Sequence, residues 1–170
     1  DHLDETVARR RFEVRPAPGG APQAFRDGGR LGVTLSITHA EGWAAAGVQR
    51  GDGPLGCDLE RVEPRSKAFV EDYFTAGEQT FVATGPRCDR HLRATLIWSA
   101  KEAVMKALGL GLRLPLLAVE IAPGTGPASP AGWRSFSISH PADATGLRGW
   151  WRSTGAFVLT VAGGTGEPCL

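Results

Sequence analysis

The longest regular pattern in the sequence is helical and covers residues 88–108. Apolar residues recur along it three and four positions apart, which places them on one face of a helix. The residues that form this face are Leu92, Leu96, Ala100, Ala103, Val104, Ala107 and Leu108. Gly109 follows, at a position where helices commonly end. We expect this helix to pack its apolar face across a sheet.

Strand patterns precede this helix. Residues 33–38 alternate apolar and polar side chains and are rich in β-branched types, which predicts a strand. Residues 43–49 and 55–60 are further apolar segments between turns. Short helices are predicted at residues 66–74 and 75–84, and the second opens on a Thr-x-x-Glu capping box.

Strand patterns return after the long helix. Strands are predicted at residues 117–121, 133–139, 147–152 and 156–162. At the start of the chain, residues 1–8 favour a short helix, and the proline- and glycine-rich residues 16–22 favour a loop. Strands followed by helices and then by strands indicate an α+β domain, because a doubly wound fold would alternate the two element types.

The composition limits the classes of function. A length of 170 residues fits one domain, and 42% hydrophobic with 22% charged residues is typical of a globular chain. A net charge of +1 argues against a general nucleic-acid binder. There is no run of about 18 apolar residues, so we expect no membrane span. The cysteines are odd in number and widely spaced, which favours a reducing, cytoplasmic setting.

A small group of charged side chains can converge on one site. Asp58 and Glu60 lie two apart on a predicted strand and share a face, while Glu102 and Lys106 lie one turn apart on the long helix. Together, the carboxylates and the ammonium can hold a hard divalent cation, Mg²⁺ or Mn²⁺, against a phosphate. Alternatively, Asp58 and Glu60 solvate an exposed face, and Glu102 and Lys106 form a surface ion pair.

Two segments resemble the signature of the 4′-phosphopantetheinyl transferases. They are residues 56–60, Gly-Cys-Asp-Leu-Glu, and residues 98–106, Trp-Ser-Ala-Lys-Glu-Ala-Val-Met-Lys. Gly20-Ala21-Pro22 is similar to the Gly-x-Pro element that precedes the family's first conserved strand. Residues 36–40, Ser-Ile-Thr-His-Ala, resemble the Ser-x-Ser-His-Ser strand of the surfactin-type branch. The order and spacing of these elements make the resemblance specific.

The resemblance implies transfer of the 4′-phosphopantetheine arm of coenzyme A to a serine of an acyl or peptidyl carrier protein. Adenosine 3′,5′-bisphosphate would be the released product. By the same resemblance, Asp58, Glu60 and Glu102 are expected to bind magnesium, and Glu102 to help deprotonate the serine. Lys106 is expected to bind the pyrophosphate, and the Mg²⁺-dependent reaction would need no nucleophile from this chain.

Three further residues receive a role in binding coenzyme A from the resemblance. Lys101 is expected to assist Lys106 at the pyrophosphate, and Thr38 and His39 to contact the phosphates of coenzyme A. Thr38 stands where the family usually has serine, which preserves the hydroxyl group and adds a methyl group. Without the resemblance, a histidine at the end of a strand is more commonly a structural residue.

The resemblance also implies an architecture of helices packed on antiparallel sheets in two pseudo-equivalent halves. We expect a single transferase domain over residues 1–170. Its parts would be an abbreviated N-terminal half at residues 1–55, a C-terminal half with the metal site at 56–165, and a tail at 166–170. Because the first half is short, the chain is expected to form an oligomer or to belong to a larger synthase.

Carrier recognition can be predicted from charge. Arg61, Arg65 and Lys67 directly follow the metal motif and would form a basic rim for an acidic carrier protein, unless they are an ordinary exposed face. Two other functions stay open. One is a catalytically silent module that docks carrier domains in a megasynthase, and the other is a metal-dependent hydrolase of a pyrophosphate.

Overall fold

The computed structural model describes residues 11–109, 115–139, 146–164 and 166–169, and the helix predicted at residues 1–8 lies outside them. The strands are β1 (Phe12–Pro16), β2 (Pro22–Arg26), β3 (Gly29–Arg30), β4 (Val33–Ala40), β5 (Trp43–Arg50), β6 (Leu55–Arg61), β7 (Glu120–Pro123), β8 (Arg134–Ser139), β9 (Arg148–Thr154) and β10 (Phe157–Gly163). The α-helices are α1 (Lys67–Tyr73), α2 (Ala76–Ala83) and α3 (Arg90–Ala107). This arrangement confirms the predicted α+β class.

The strands of the described residues form antiparallel sheets. β1, β2 and β3 make a small sheet, β4 and β5 pair as a hairpin, and the largest sheet has the order β6-β10-β9-β8-β7. In the largest sheet, Asp58 of β6 lies opposite Thr160 of β10. The last strand of the chain therefore pairs with the strand that carries the acidic motif.

The long helix packs across this largest sheet, over β6 and β10. Gly56 permits the close approach, because a Cβ atom at this position would overlap the backbone of Ala103 and Ala107 in α3. The predicted apolar face is buried at Leu96, Ala100, Ala103 and Val104. Burial extends beyond that face, since α2 and β7 also contact the helix. As a result, α3 is covered on more of its circumference than its apolar stripe predicts.

Local capping signals fix the helix ends. Ser66 caps α1 by accepting a hydrogen bond from the Phe69 amide, and Thr75 and Glu78 form the predicted capping box at the start of α2. After α3, Gly109 adopts a φ of 65°, a conformation that glycine adopts without strain. Its amide donates to the carbonyl oxygen of Lys106 at 3.1 Å. The predicted helix end at Gly109 is confirmed.

The β4–β5 hairpin joins β6 through side-chain hydroxyl groups of β4. Ser36 Oγ accepts a hydrogen bond from the Cys57 amide at 2.8 Å, and Thr38 Oγ1 accepts one from the Leu59 amide at 3.2 Å. These hydroxyl groups satisfy amides on the β6 edge that does not pair with β10. The small polar residues of β4 thereby fix the position of the acidic motif.

Two boundaries differ from the sequence prediction. Residues 117–121 were predicted as a strand, but a 3₁₀ helix at Leu116–Ala118 precedes β7 (Glu120–Pro123). The predicted loop at residues 16–22 is bordered by β1 and β2, which use Pro16 and Pro22 as their last and first residues. Proline fits both places because a strand end does not require its amide hydrogen.

No helix among the described residues is long and apolar enough to cross a membrane.

Candidate active site

The candidate site lies between α3 and the face of β6 that carries Asp58 and Glu60. Trp98 of α3 reaches Glu60, while Lys106, two turns further on, reaches Asp58. The helix therefore crosses β6 in the antiparallel direction. Glu102 lies on the same helical face, one turn from each of these contacts. The structure therefore places the predicted carboxylates and Lys106 around the crossing of α3 and β6, without closing them into a metal-binding cluster.

Asp58 is the most buried of these carboxylates, with 5% of its surface exposed. Its Oδ1 atom accepts hydrogen bonds from Lys106 Nζ at 2.7 Å and from Thr38 Oγ1 at 3.2 Å. Its Oδ2 atom is buried and has no hydrogen-bond partner. Because a buried charged oxygen without a partner is costly, this atom has an unused capacity to bind a cation or a donor.

Lys106 is the cation closest to Asp58. Besides the bond to the carboxylate, its Nζ donates to the carbonyl oxygen of Cys57 at 3.1 Å. A third of its side chain stays exposed. The ammonium therefore neutralises Asp58 here, and it keeps enough access to solvent to contact an anionic ligand as well.

Glu60 has partners on both carboxylate oxygens. Oε2 accepts from Arg65 Nη2 at 2.8 Å, and Oε1 accepts from the indole nitrogen of Trp98 at 3.2 Å. Burial raises the pKa of Glu60 above its ordinary value, and the negative charge of Asp58 raises it further. Arg65 opposes both effects.

Glu102 is half-buried and makes no hydrogen bond or ion pair with any other described residue. Burial raises the pKa of its carboxyl group, and the charges of Asp58 and Glu60 add to the rise, while Lys106 opposes it. A carboxylate with a raised pKa and no fixed partner is suited to exchange a proton or to accept a metal ion.

The donor set fits a hard divalent cation in chemical type. All three candidate ligands are carboxylates, and Asp58 contributes a buried, unpartnered oxygen. Across the described residues, however, no three Asp, Glu, His or Cys side chains converge closely enough to hold a metal ion. Internal cations already occupy two of the carboxylates, since Lys106 binds Asp58 and Arg65 binds Glu60. A metal ion would need these side chains to move.

The two residues of β4 that were predicted to contact coenzyme A, Thr38 and His39, lie on opposite faces of the strand. Thr38 is 6% exposed, and its hydroxyl group is engaged by Asp58 and by the Leu59 amide. His39 is exposed on the opposite face of the strand. Thr38 therefore supports the acidic motif directly, whereas His39 faces solvent.

Lys101 does not join the site. The residue is fully buried, its Nζ lies 2.9 Å from Glu78 Oε2 of α2, and it donates to the carbonyl oxygens of Leu116 and Val119. Burial lowers the pKa of Lys101, and Glu78 opposes this effect. The ammonium thus connects α2 and α3 to the residues just before β7. The predicted phosphate contact of Lys101 is not seen in the structure, because its charge is paired inside the core.

The predicted basic rim is also altered. Arg65 is only 16% exposed and pairs with Glu60 and Glu63, so it belongs to the site and not to its outer rim. Arg61 and Lys67 are exposed, and each lies near an acidic neighbour. The rim that remains for an acidic partner is therefore weaker than the sequence suggests.

A cavity of about 260 Å³ adjoins Lys106. Its lining includes Gly20, Pro22, Ser36, Met105 and Lys106. This places the Gly-x-Pro segment beside the end of α3. A larger cavity of about 470 Å³ includes Cys57 in its lining, and another of about 430 Å³ includes Leu59. Both side chains lie on the face of β6 opposite to Asp58 and Glu60.

Sequence reasoning missed three residues of this region. Trp98 received no chemical role from the sequence, yet its indole nitrogen donates to Glu60 Oε1 at 3.2 Å. Its position one turn before Glu102 on the same helical face was the available signal. Arg65 was assigned to an outer rim, and Glu78 was interpreted only as a capping residue. Nothing in the local pattern shows that Glu78 also pairs with Lys101.

The raised pKa values of Glu60 and Glu102 predict a pH dependence. The folded chain binds protons at these groups more readily than the unfolded chain does, so the metal-free protein should become more stable as the pH falls from neutral towards 4.5. Added Mg²⁺ requires the ionised carboxylates, and its stabilising effect should fade over the same range. Melting curves with EDTA or Mg²⁺ measure both trends.

The variant Glu102→Gln serves as the control for this pH dependence. It removes one of the titrating groups at nearly constant size, so it should flatten the metal-free trend and reduce the effect of Mg²⁺. A slope in Glu102→Gln equal to that of the wild type would show that other groups cause the dependence.

Part of the chain is similar in sequence to 4′-phosphopantetheinyl transferases of two Bacillus species. The matched segment is 30% identical over 78 residues to the 4′-phosphopantetheinyl transferase psf-1 of Bacillus pumilus, covering 46% of this chain and 33% of the relative. It is 28% identical over 82 residues to the transferase ffp of Bacillus subtilis, covering 48% and 36%. The match therefore spans about a third of the length of these relatives.

The fold also has a counterpart among solved structures. The holo-[acyl-carrier-protein] synthase of Thermotoga maritima superposes with a TM-score of 0.51 at 23% identity, covering 65% of this chain and 61% of that one. This likeness concerns the fold. The family model of the 4′-phosphopantetheinyl transferase superfamily matches residues 54–161, which is more than half of the chain and includes β6 and α3. The chain belongs to the 4′-phosphopantetheinyl transferase superfamily.

Proposed function

We propose that the chain transfers the 4′-phosphopantetheine arm of coenzyme A to a serine of an acyl or peptidyl carrier protein. One observation carries this proposal. Asp58, with its unpartnered oxygen, lies against the face of α3 that carries both Glu102 and Lys106. Carboxylates that can bind a cation thus lie beside an ammonium that can bind a phosphate, as phosphoryl transfer requires.

The proposed metal ligands are Asp58, Glu60 and Glu102, with Mg²⁺ as the cation and Mn²⁺ as a substitute. When bound, the cation would neutralise charge on the pyrophosphate of coenzyme A. Lys106 would exchange its bond with Asp58 for one with the pyrophosphate, which its partial exposure permits. His39 is a further candidate for a phosphate contact because its side chain is exposed.

Glu102 is proposed to accept the proton of the carrier serine. Its carboxylate makes no hydrogen bond or ion pair with a described residue, so it is available to accept a proton from a serine placed beside it. The serine oxygen would then form a bond with the phosphorus that bears the pantetheine arm. The bond from that phosphorus to the leaving phosphate would break, and adenosine 3′,5′-bisphosphate would leave.

A second candidate function is a non-catalytic module that binds carrier domains within a larger synthase. The observation in its favour is that the matched segment spans only about a third of the curated relatives. Calorimetry separates the two functions, because the transferase must bind coenzyme A and the docking module need not.

We also propose a cytoplasmic location for the protein. The free thiols of Cys57, Cys88 and Cys169 suit this reducing compartment.

The nucleotide product tests the proposed reaction. The chain is incubated with coenzyme A, Mg²⁺ and an apo carrier protein, and adenosine 3′,5′-bisphosphate is measured by chromatography. We expect release only when the carrier retains its acceptor serine. Release with a carrier whose serine is replaced by alanine would identify a pyrophosphate hydrolase instead.

A further inference from the structure

Glu60 is the only one of the three proposed metal ligands, among the described residues, with a partner on each carboxylate oxygen. Arg65 donates to Oε2 at 2.8 Å, and Trp98 donates to Oε1 at 3.2 Å. Asp58, in contrast, keeps one oxygen without a partner, and Glu102 has no hydrogen bond to a described residue. Glu60 is therefore the carboxylate that is most strongly held away from a cation.

Aromatic rings fix the arginine in this position. The Arg65 guanidinium lies 5.1 Å from the ring centre of Phe69 and 6.0 Å from that of Trp98. The side chain is 16% exposed, and a further contact with Glu63 at 3.2 Å limits its freedom. A guanidinium held by rings and carboxylates has lost its conformational freedom before a ligand arrives, so it competes effectively for Glu60.

We propose that Arg65 is a built-in counter-ion that competes with the divalent cation for Glu60 and thereby lowers the affinity of this site for metal. Glu60 can bind a cation directly only when its pair with Arg65 opens. Glu102 makes no such pair, and Asp58 keeps one oxygen without a partner although Lys106 binds the other, so these two carboxylates would bind the cation first. The inference rests on the metal site in the proposed function, but it does not require that the arm is transferred.

This role differs from that of the neighbouring arginine. Arg61 is more than half exposed, and its guanidinium lies 3.6 Å from the Glu41 carboxylate. Among the described residues, the Arg61 side chain makes no hydrogen bond or ion pair with the Glu60 carboxylate. Replacing Arg61 removes the same unit of charge from the same region without releasing a proposed ligand. It is therefore a matched control for long-range electrostatics.

The test measures Mn²⁺ binding to the full chain by electron paramagnetic resonance of the free ion, without coenzyme A. Arg65→Met retains an apolar side chain beside Phe69 and Trp98 but lacks the charge. We expect the Kd for Mn²⁺ to fall about fivefold, the upper range for an ion pair of this exposure. Arg61→Met should change the Kd less than about twofold, as expected for a screened charge.

A double-mutant cycle with Glu60→Gln isolates the pair. In the Glu60→Gln background, Arg65→Met should change the Kd no more than Arg61→Met does. The same change in both backgrounds would overturn the proposal, because Arg65 would then act only through its overall charge. Unchanged or weaker binding by Arg65→Met would also overturn it. Arg65→Lys, which keeps the charge but lacks the planar fork, should fall between the wild type and Arg65→Met.

The outcome is separable from that of the proposed function. If no variant binds Mn²⁺, both this inference and the metal site fail. If Mn²⁺ binding follows the expected order but no arm is transferred, the proposed function fails and the role of Arg65 stands. Circular dichroism of each variant confirms that a changed Kd is not caused by unfolding.

Discussion

Replacing Glu102 by glutamine is expected to lower transfer of the phosphopantetheine arm about a thousandfold, within the range for loss of an acid–base or charge-stabilising group. Glutamine keeps the size of the side chain but can neither accept the serine proton nor offer a charged metal ligand. Glu102 makes no hydrogen bond to a described residue, so the exchange breaks no structural contact. Transfer rates and thermal melts of both proteins measure the effect.

Glu71→Gln provides the matched control for this variant. Glu71 lies on α1, is half exposed and pairs with Lys67 one turn away. Its replacement should leave transfer unchanged. Asp58→Ala is expected to abolish transfer as well, although it also removes the partner of Lys106 and of Thr38. A Glu102→Gln protein that retains most of the wild-type rate would contradict the role proposed for Glu102.

The variant Lys101→Met is expected to lower the free energy of unfolding by about 3–5 kcal/mol, the usual cost of removing one partner of a buried ion pair. Both Lys101 and Glu78 are inaccessible to solvent, so the remaining carboxylate would lose its cation without gaining water. The carbonyl oxygens of Leu116 and Val119 would also lose their donor. Urea unfolding followed by circular dichroism measures the change.

Two further variants separate a structural role of Lys101 from a catalytic one. Lys67→Met removes an exposed lysine and should leave stability within about 0.5 kcal/mol of the wild type. Adding Glu78→Gln to Lys101→Met removes the unpaired charge and should recover part of the lost stability. If Lys101→Met unfolds like the wild type but binds coenzyme A more weakly, the phosphate contact suggested by the family resemblance is correct.

Local patterns predicted much of the fold because they act over short distances. The capping box at Thr75 and the helix end at Gly109 depend only on neighbouring residues, and both are confirmed. The small sheet of β1, β2 and β3 was not predicted. Phe12 to Arg15 do alternate apolar and polar residues, but the strands of this sheet are short, mostly exposed and bordered by proline, so no buried apolar face marks them in the sequence.

The part of the site that could be predicted is the part in which residue spacing determines the direction of the side chains. The period of a strand places Asp58 and Glu60 on one face, and the period of a helix aligns Trp98, Glu102 and Lys106. Which cation neutralises which carboxylate depends on packing between distant segments. Lys101–Glu78 joins separate helices, and Arg65–Glu60 depends on the path of the chain between β6 and α1, so both pairs became visible only in the folded chain.

Intact mass spectrometry of an apo carrier protein tests the central claim most directly. The carrier is incubated with this chain, coenzyme A and Mg²⁺, with Glu102→Gln as the inactive control. The proposed function predicts that the carrier gains the mass of one phosphopantetheine arm, on its acceptor serine, with the wild-type chain alone. An unchanged carrier mass with several acyl and peptidyl carriers, under conditions in which the chain is folded, would contradict it.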